Sequence, residues 1–231
     1  MPEQAEVRVW DPFIRVFHWT VAIGFAVCFL TEDDQIGLHV WSGYLIALLL
    51  GLRILWGLVG PRAARFADFV YRPTKVFAYL ADLVRFRAPR HLGHSPAGGA
   101  MVVALILSLA ATCLTGAALY AVRDNAGPLA GVLGTGVLGA GMSAPDSGAG
   151  AVAPRSEDVQ KNERTGRGAR QTRPGAALKG VHELFANLTL ALVIAHLAGV
   201  LLASIVHREN LVRAMITGRK RPLATPPANS T

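Results

Sequence analysis

The sequence contains few charged residues: Asp, Glu, Lys and Arg make up 16% of its 231 residues, whereas hydrophobic residues make up 52%. Such a composition is too apolar for an ordinary soluble domain and is typical of a small polytopic membrane protein. Acidic residues are the scarcer charge, 15 against 23 Lys and Arg. No basic stripe interleaved with aromatic residues occurs, so we expect no nucleic-acid partner and attribute the positive charge to membrane topology.

Cysteine is also scarce. The two cysteines, Cys28 and Cys113, each lie inside an apolar run, so a disulfide framework is not expected. No CxxCH motif is present, which excludes a haem attached through thioether bonds. The first 12 residues are polar, and we expect no cleavable signal peptide. A GxGxxG pattern at 134–139 follows no predicted strand, so we do not interpret it as a nucleotide site.

Long apolar runs are what the sequence has instead. Each has about 20 residues, the length that crosses a bilayer as a helix, and they lie at 13–30, 37–59, 97–121 and 181–206. They predict an all-α membrane protein, a four-transmembrane-helix bundle that forms a single domain over residues 1–231. Asp11 followed by Pro12 is a helix start signal for the first run. Small residues such as Gly116 in the third run predict close helix approach.

The segments between the runs differ in composition. Residues 73–87 and, more weakly, 208–217 have apolar residues at helical spacing among basic residues. This pattern predicts short interfacial helices on the cytoplasmic membrane surface. Residues 123–178 are rich in Gly, Ala, Ser, Pro and Arg, which predicts a flexible periplasmic loop.

Lys and Arg are concentrated on one predicted side of the membrane. The segment 61–96 has seven of them and the tail from residue 207 has five, whereas 31–36 has none. Lys- and Arg-rich loops stay in the cytoplasm. We therefore predict a multi-pass protein of the bacterial cytoplasmic (inner) membrane with both termini in the cytoplasm.

Histidine is the informative polar residue within the runs. His182 and His196 are 14 residues apart, which is about 21 Å along a helix axis and only about 40° short of four full turns. Both imidazoles therefore lie on nearly the same face of one helix, most of a membrane apart. Because ionisable residues at membrane depth are usually functional, this favours a helix that ligates two separate metal centres.

Depth pairs these two histidines with two others. His18 lies about 20 Å below the outer end of the first run, level with His196, and His39 opens the second run, level with His182. Two axial imidazoles from different helices are what a six-coordinate haem iron requires. We therefore predict the pairs His18/His196 and His39/His182 as the axial ligands of two haem irons, and we predict no catalytic residue.

Other polar residues receive weaker interpretations. Arg53 follows His39 by 14 residues and so shares its helix face. Two interpretations stay open, that Arg53 pairs with a haem propionate or that it extends to the cytoplasmic interface. His207 is interpreted as an interfacial or propionate-contacting residue. His91 and His94 lie in the polar cytoplasmic loop and are not expected to be axial ligands.

Short motifs are distributed along nearly the whole chain outside 123–178. They are Val9-Trp10-Asp11 with Arg15, His18-Trp19, His39 with Gly43-Tyr44, Arg53-x-x-Trp56-Gly57, Gly93-His94-Ser95-Pro96, Leu114-Thr115-Gly116, His182-Glu183, Ala186-Asn187, His196 and His207-Arg208-Glu209-Asn210-Leu211. In this combination the chain resembles the bacterial cytochrome b561 family, which includes the b-type cytochrome subunits of nickel-iron hydrogenases. The resemblance implies four transmembrane helices that hold two non-covalent b haems, with His18, His39, His182 and His196 as axial ligands.

We therefore expect transmembrane electron transfer by two haem b groups. The expected partners are the lipid bilayer, the quinone pool, whose quinol is a candidate substrate, and a periplasmic c-type cytochrome or larger redox complex. Two alternatives stay open. One is a haem-bearing membrane anchor subunit of a larger oxidoreductase such as a hydrogenase or formate dehydrogenase. The other is a non-haem proton or metal transporter that uses the same histidines.

Overall fold

The structure, a computed structural model, describes residues 6–31, 35–61, 64–134 and 174–222. Its elements in chain order are β1 (Val7–Arg8), α1 (Pro12–Leu30), α2 (Ile36–Val59), α3 (Phe66–Phe69), α4 (Pro73–Val84), α5 (Pro96–Asp124), a π-helix (Ala130–Gly134), α6 (Pro174–His207), α7 (Leu211–Thr217) and β2 (Arg219–Lys220). Within these ranges, four helices are long and apolar enough to cross a membrane, namely α1, α2, α5 and α6. The predicted all-α membrane protein is confirmed.

The boundaries differ from the predicted ones at two places. The third spanning helix continues to Asp124, and the fourth begins at Pro174, so helix occupies both ends of the stretch that was predicted as a loop. The middle of that stretch, 135–173, lies outside the described residues, as does nearly all of the GxGxxG pattern. The helices predicted at 73–87 and 208–217 form as α4 and α7, whereas the sequence analysis did not predict α3 or the two-residue strands.

The chain divides into two compact units. The first comprises residues 1–110 and 189–231, and the second comprises residues 111–188. The first unit therefore contains α1 to α4, the beginning of α5, the end of α6, and α7. The second contains the end of α5, the π-helix and the beginning of α6.

The first helix begins where the sequence predicted. The backbone N–H of Ile14 donates to Asp11 Oδ1 at 3.0 Å, and Pro12 occupies the first turn. A side-chain oxygen at this position satisfies one of the amide groups that the start of a helix leaves without a partner. The other oxygen of Asp11 accepts from the indole N–H of Trp56 at 3.4 Å, so this carboxylate also joins α1 to the end of α2.

α1 and α2 pack as an antiparallel pair in a defined register. At one end the rings of Phe13 and Trp56 lie 5.0 Å apart by centroid. Midway, a Cβ added to Gly24 would lie 3.2 Å from Ile46 Cγ1, so a larger side chain would crowd the contact. We call the end of this pair that holds Phe13 and Trp56 the Trp10 end, because Trp10 lies in the same buried cluster.

The Trp10 end is closed by the two ends of the described chain. β1 pairs antiparallel with β2, with Val7 opposite Lys220, and Arg15 donates from its guanidinium to the carbonyl oxygen of Ile216. Gly218 ends α7 with a φ of 78°, a left-handed conformation that glycine adopts without strain. Residues about 200 apart in the sequence therefore form one end of the first unit.

α4 packs one face against α6 and leaves the other exposed. Its Tyr79 and Leu83 are buried and contact partly buried residues of α6, among them Leu202 and Val206. On the other face Phe77 is 70% exposed. An amphipathic helix with large exposed apolar side chains is typical of a helix that lies in a membrane surface.

Candidate functional site

His18 of α1 and His196 of α6 face each other in the first unit. Their ring centroids lie 6.4 Å apart, with 58° between the ring planes. A metal ion binds an imidazole nitrogen at about 2 Å, and that nitrogen lies roughly 1 Å from its ring centroid, so two rings on opposite sides of one ion are separated by about 6 Å. The observed separation fits a metal ion held between two axial imidazoles, as the sequence predicted for this pair.

The surroundings of His18 also fit a bound group. Its Nδ1 is buried and has no hydrogen-bond partner within the described residues. A buried polar atom without a partner costs free energy, and such atoms are rare in folded proteins. The imidazole of His18 therefore fits a site completed by a bound group.

Arg53 of α2 is buried close to this pair in depth. It is 2% exposed, its Cζ lies 4.8 Å from the centroid of the Phe66 ring, and its Nη1 has no partner within the described chain. Arg53 precedes Trp56 by three residues, so in the antiparallel register it lies level with Val16, about 3 Å nearer the Trp10 end than His18. A buried guanidinium needs an anion, because an unpaired buried charge is strongly destabilising.

His39 at the start of α2 is oriented by a backbone carbonyl. Its Nδ1 lies 2.9 Å from the carbonyl oxygen of Cys28 in α1. A carbonyl only accepts, so Nδ1 carries the proton and the lone pair lies on Nε2. Metal-binding histidines usually donate their second ring N–H in this way. The role of the Cys28 backbone could not be predicted from the sequence.

His182 has an equivalent arrangement in the second unit. Its Nδ1 lies 3.1 Å from the carbonyl oxygen of Thr112 and 3.3 Å from Oγ1 of Thr115. A Cβ added to Gly116 would lie 2.9 Å from His182 Cε1, so the absence of a side chain at Gly116 lets the ring approach α5. The sequence analysis indicated Gly116 as a close-approach residue. The pairing of His182 with His39 stays a prediction from the sequence.

Of the three remaining histidines, His94 has contacts that the sequence analysis did not predict. It assigned His94 to a polar loop, but its ring packs between Trp10 and Phe69, at centroid distances of 4.6 and 4.4 Å. Burial, followed by the charges of Arg53 and Lys220, lowers the pKa of His94 to about 3. His94 is therefore neutral at physiological pH.

His91 and His207 lie together beside α4. The ring of His91 lies 5.6 Å from the ring of Tyr79 by centroid, and Nε2 of His207 lies 3.3 Å from the Tyr79 hydroxyl oxygen. Burial and the charge of Lys220 lower the pKa of His91. This contact places His207 beside α4, the helix expected at the membrane surface.

Metal binding by the chain alone would need more than two side chains. Within the described ranges, no group of three His, Cys, Asp or Glu residues is arranged to hold a metal ion. An ion between two imidazoles then takes its remaining ligands from elsewhere, and the four nitrogens of a porphyrin supply them in haem. The residues present therefore fit a bis-histidine haem site.

One family model, described as prokaryotic cytochrome b561, matches residues 9–218. No curated protein and no solved structure matches the chain. The matched range includes all four spanning helices and the four histidines predicted as ligands. The chain therefore belongs to the prokaryotic cytochrome b561 family, a family of membrane proteins that bind haem b and transfer electrons across the bilayer.

Proposed function

We propose that this protein carries electrons between membrane quinol and a periplasmic redox partner through two b haems, one at each end of the membrane. His18 and His196 hold one haem, and His39 and His182 hold the other. The observation that carries the proposal is the 6.4 Å separation of the His18 and His196 rings, which fits two axial ligands on one iron.

The bound haem supplies a one-electron couple at its iron. Ligation by two imidazoles would leave the iron no open coordination position, which would favour electron relay over oxygen binding. The chain holds the ligand nitrogens in place. His39 and His182 each donate from Nδ1 to a carbonyl oxygen of a neighbouring helix, which fixes the ring orientation and presents Nε2 to iron.

Arg53 supplies the counter-charge for a haem propionate. It is buried among the rings of Phe66 and Phe69, which favours the propionate interpretation over extension to the interface. A guanidinium forms strong, charge-assisted hydrogen bonds with a carboxylate. Arg53 lies slightly nearer the Trp10 end than His18. A haem propionate that pointed towards this end of the membrane would therefore come close to Arg53.

The distribution of basic residues supports an orientation with the Trp10 end in the cytoplasm of a bacterial inner-membrane protein. Basic residues of the segments between α2 and α5 and after α6 follow the positive-inside rule; those described are Arg65, Arg72, Lys75, Arg85, Arg87, Arg90, Arg208, Arg213, Arg219, Lys220 and Arg221. The periplasmic partner is a c-type cytochrome, and the arginine residues of the segment 123–178 would attract an acidic surface on it.

A dithionite-reduced minus oxidised spectrum of detergent-purified protein, with haem counted per chain, tests the proposal. We expect about two b haems, of which His196→Ala removes one and His182→Ala removes the other. His91→Ala, in a segment outside the spanning helices, is the matched control and should keep both. A colourless wild-type protein, or a His196→Ala variant that keeps both haems, would contradict the ligand assignment.

A second measurement tests the partners. In vesicles, a short-chain quinol should reduce the haems of the wild-type protein, and an acidic c-type cytochrome outside should then oxidise them. Haems that quinol does not reduce, in a protein that purifies only with a large periplasmic metalloprotein, would favour the anchor-subunit alternative instead.

A further inference from the structure

His94 and Arg53 both approach one aromatic ring, that of Phe69, at the Trp10 end. The Cζ atom of Arg53 lies 5.9 Å from the centroid of the Phe69 ring, and the ring of His94 lies 4.4 Å from the same centroid. We use the name Arg53–His94 pocket for these two side chains and the Phe69 ring that both approach. Both residues belong to the first unit, although 41 residues of sequence separate them.

Each side chain brings a buried nitrogen with no hydrogen-bond partner in the described part of the chain. These atoms are Nη1 of Arg53 and Nδ1 of His94. Leaving one buried donor unsatisfied costs about 1–3 kcal/mol, and more for a charged group. Two such nitrogens beside one aromatic ring indicate that this region receives a polar group which the described part of the chain does not provide.

The charges around the pocket favour an anionic group, since two cations, Arg53 and Lys220, lie near one carboxylate, Asp11. Lys220, buried beside Trp10 with its Nζ 5.6 Å from the ring centroid, adds a second cation. The carboxylate nearby, Asp11, already accepts from Ile14 and Trp56. His94 is neutral at physiological pH because burial, Arg53 and Lys220 lower its pKa to about 3. It therefore offers a donor without adding a further positive charge.

The walls of the pocket are held by close packing. A Cβ added to Gly99 at the start of α5 would lie 3.2 Å from Cδ2 of Phe69, and it would overlap the carbonyl oxygen of the same residue. A Cβ added to Gly57 in α2 would overlap the ring of Phe66. α3 is thus held between α2 and α5 through glycine contacts, and this fixes the ring that Arg53 and His94 share.

We infer that His94 is a second positioning residue for the haem held by His18 and His196. It donates from Nδ1 to the propionate carboxylate that Arg53 pairs with by charge. This inference rests on the proposed function, because it requires a haem at that site. It gives a role to a histidine that is neither an axial ligand nor a surface residue.

Two substitutions of His94 separate hydrogen bonding from packing. His94→Asn places an amide nitrogen near the position of Nδ1 but removes most of the ring, whereas His94→Phe keeps an aromatic ring between Trp10 and Phe69 and removes the donor. The readouts are the rate at which haem transfers to an acceptor protein and the midpoint potential of the haem that His196→Ala eliminates. His91→Ala, whose side chain packs on Tyr79 instead, is the matched control.

We expect His94→Phe to accelerate haem loss from this site about ten- to a hundredfold. This factor corresponds to the free energy of one hydrogen bond to a charged group. We also expect it to lower the midpoint potential, because the propionate charge is then less well compensated. His94→Asn should keep most of the wild-type behaviour, and His91→Ala should match the wild type. If His94→Phe leaves both quantities unchanged, or if Asn is no better than Phe, the inference is wrong. A wild-type protein without haem would instead refute the proposed function.

Discussion

Three of the histidines proposed as haem ligands are held in two different ways. His39 and His182 each donate from Nδ1 to the carbonyl oxygen of an adjacent helix, whereas Nδ1 of His18 is buried with no partner in the described chain. Backbone carbonyls orient the first two imidazoles. The surroundings of His18 instead contain a second residue with an unsatisfied buried nitrogen, Arg53. One kind of site is organised by the polypeptide, and the other is completed by its ligand.

The largest expected effect comes from breaking the carbonyl-held arrangement at Gly116. In Gly116→Ala the new Cβ would lie 2.9 Å from Cε1 of His182, closer than real Cβ contacts permit, so the ring must leave its position against α5. We expect loss of one haem per chain, measured by the reduced-minus-oxidised spectrum. Gly199→Ala in α6 is the control, because a Cβ there meets nothing within 4 Å. Full haem content in Gly116→Ala would show that ring position is not critical.

A smaller effect is expected on the other side of the comparison, at Arg53. Arg53→Gln removes the charge that compensates a propionate, so the potential of the His18/His196 haem should fall, on the order of 50 mV if about one charge-assisted hydrogen bond is lost. The potential of the other haem should not change. A redox titration followed by absorbance measures both. Equal shifts of both haems would contradict the assignment of Arg53 to one site.

The third prediction concerns pH at the Trp10 end. Glu209 forms a two-point ion pair with Arg90, at 2.8 and 3.1 Å. Burial alone raises the pKa of Glu209, but the hydrogen bond and charge of Arg90 outweigh it, so the pKa is lowered from 4.5. A lowered carboxyl pKa stabilises the fold above the unfolded-state value, and this stability is lost as the pH falls through the folded-state value.

Acidification below about pH 4.5 should therefore weaken the Trp10 end by about 1–2 kcal/mol and release the His18/His196 haem before the other. The Glu209→Gln variant lacks this ion pair already at neutral pH. In that variant the earlier release of the His18/His196 haem should therefore depend less on pH. The measurement is the absorbance of each haem during an acid titration. Simultaneous loss of both haems in the wild type would mean that the pair does not protect one site selectively.

The smallest effect is expected from Thr115→Val. The Thr115 hydroxyl lies 3.3 Å from Nδ1 of His182, but the carbonyl of Thr112 at 3.1 Å remains as an acceptor. We expect full haem content and a change of no more than about twofold in the rate of haem loss. A large loss of haem would show that the hydroxyl, and not the backbone, orients the ring.

The sequence was sufficient for features that depend on spacing along one helix. The spans follow from hydropathy, and the opposition of His18 and His196 follows from depth. Features that depend on a contact between distant segments could not be predicted. Every residue has a backbone carbonyl, so the sequence does not distinguish that of Cys28. Only the register of α1 and α2 places it next to His39.

His94 illustrates the same limit more clearly. Its neighbours in the sequence are glycine, serine and proline, which are typical of an exposed loop. Its neighbours in space are Trp10 and Phe69, contributed by two other segments. Whether a loop side chain is packed against others depends on such segments, so local composition could not predict these contacts.

The pairing of β1 with β2 has a consequence for biosynthesis. β2 follows the last spanning helix in the chain, so the two strands can pair only after the ribosome has completed residue 220 and the membrane has received every span. Lys220 and the contact between Gly218 and Trp10 then join the pocket around His94 in the final step. The first helix is thus synthesised early, but its contacts with Gly218 and Lys220 can form only after the last spanning helix has been made.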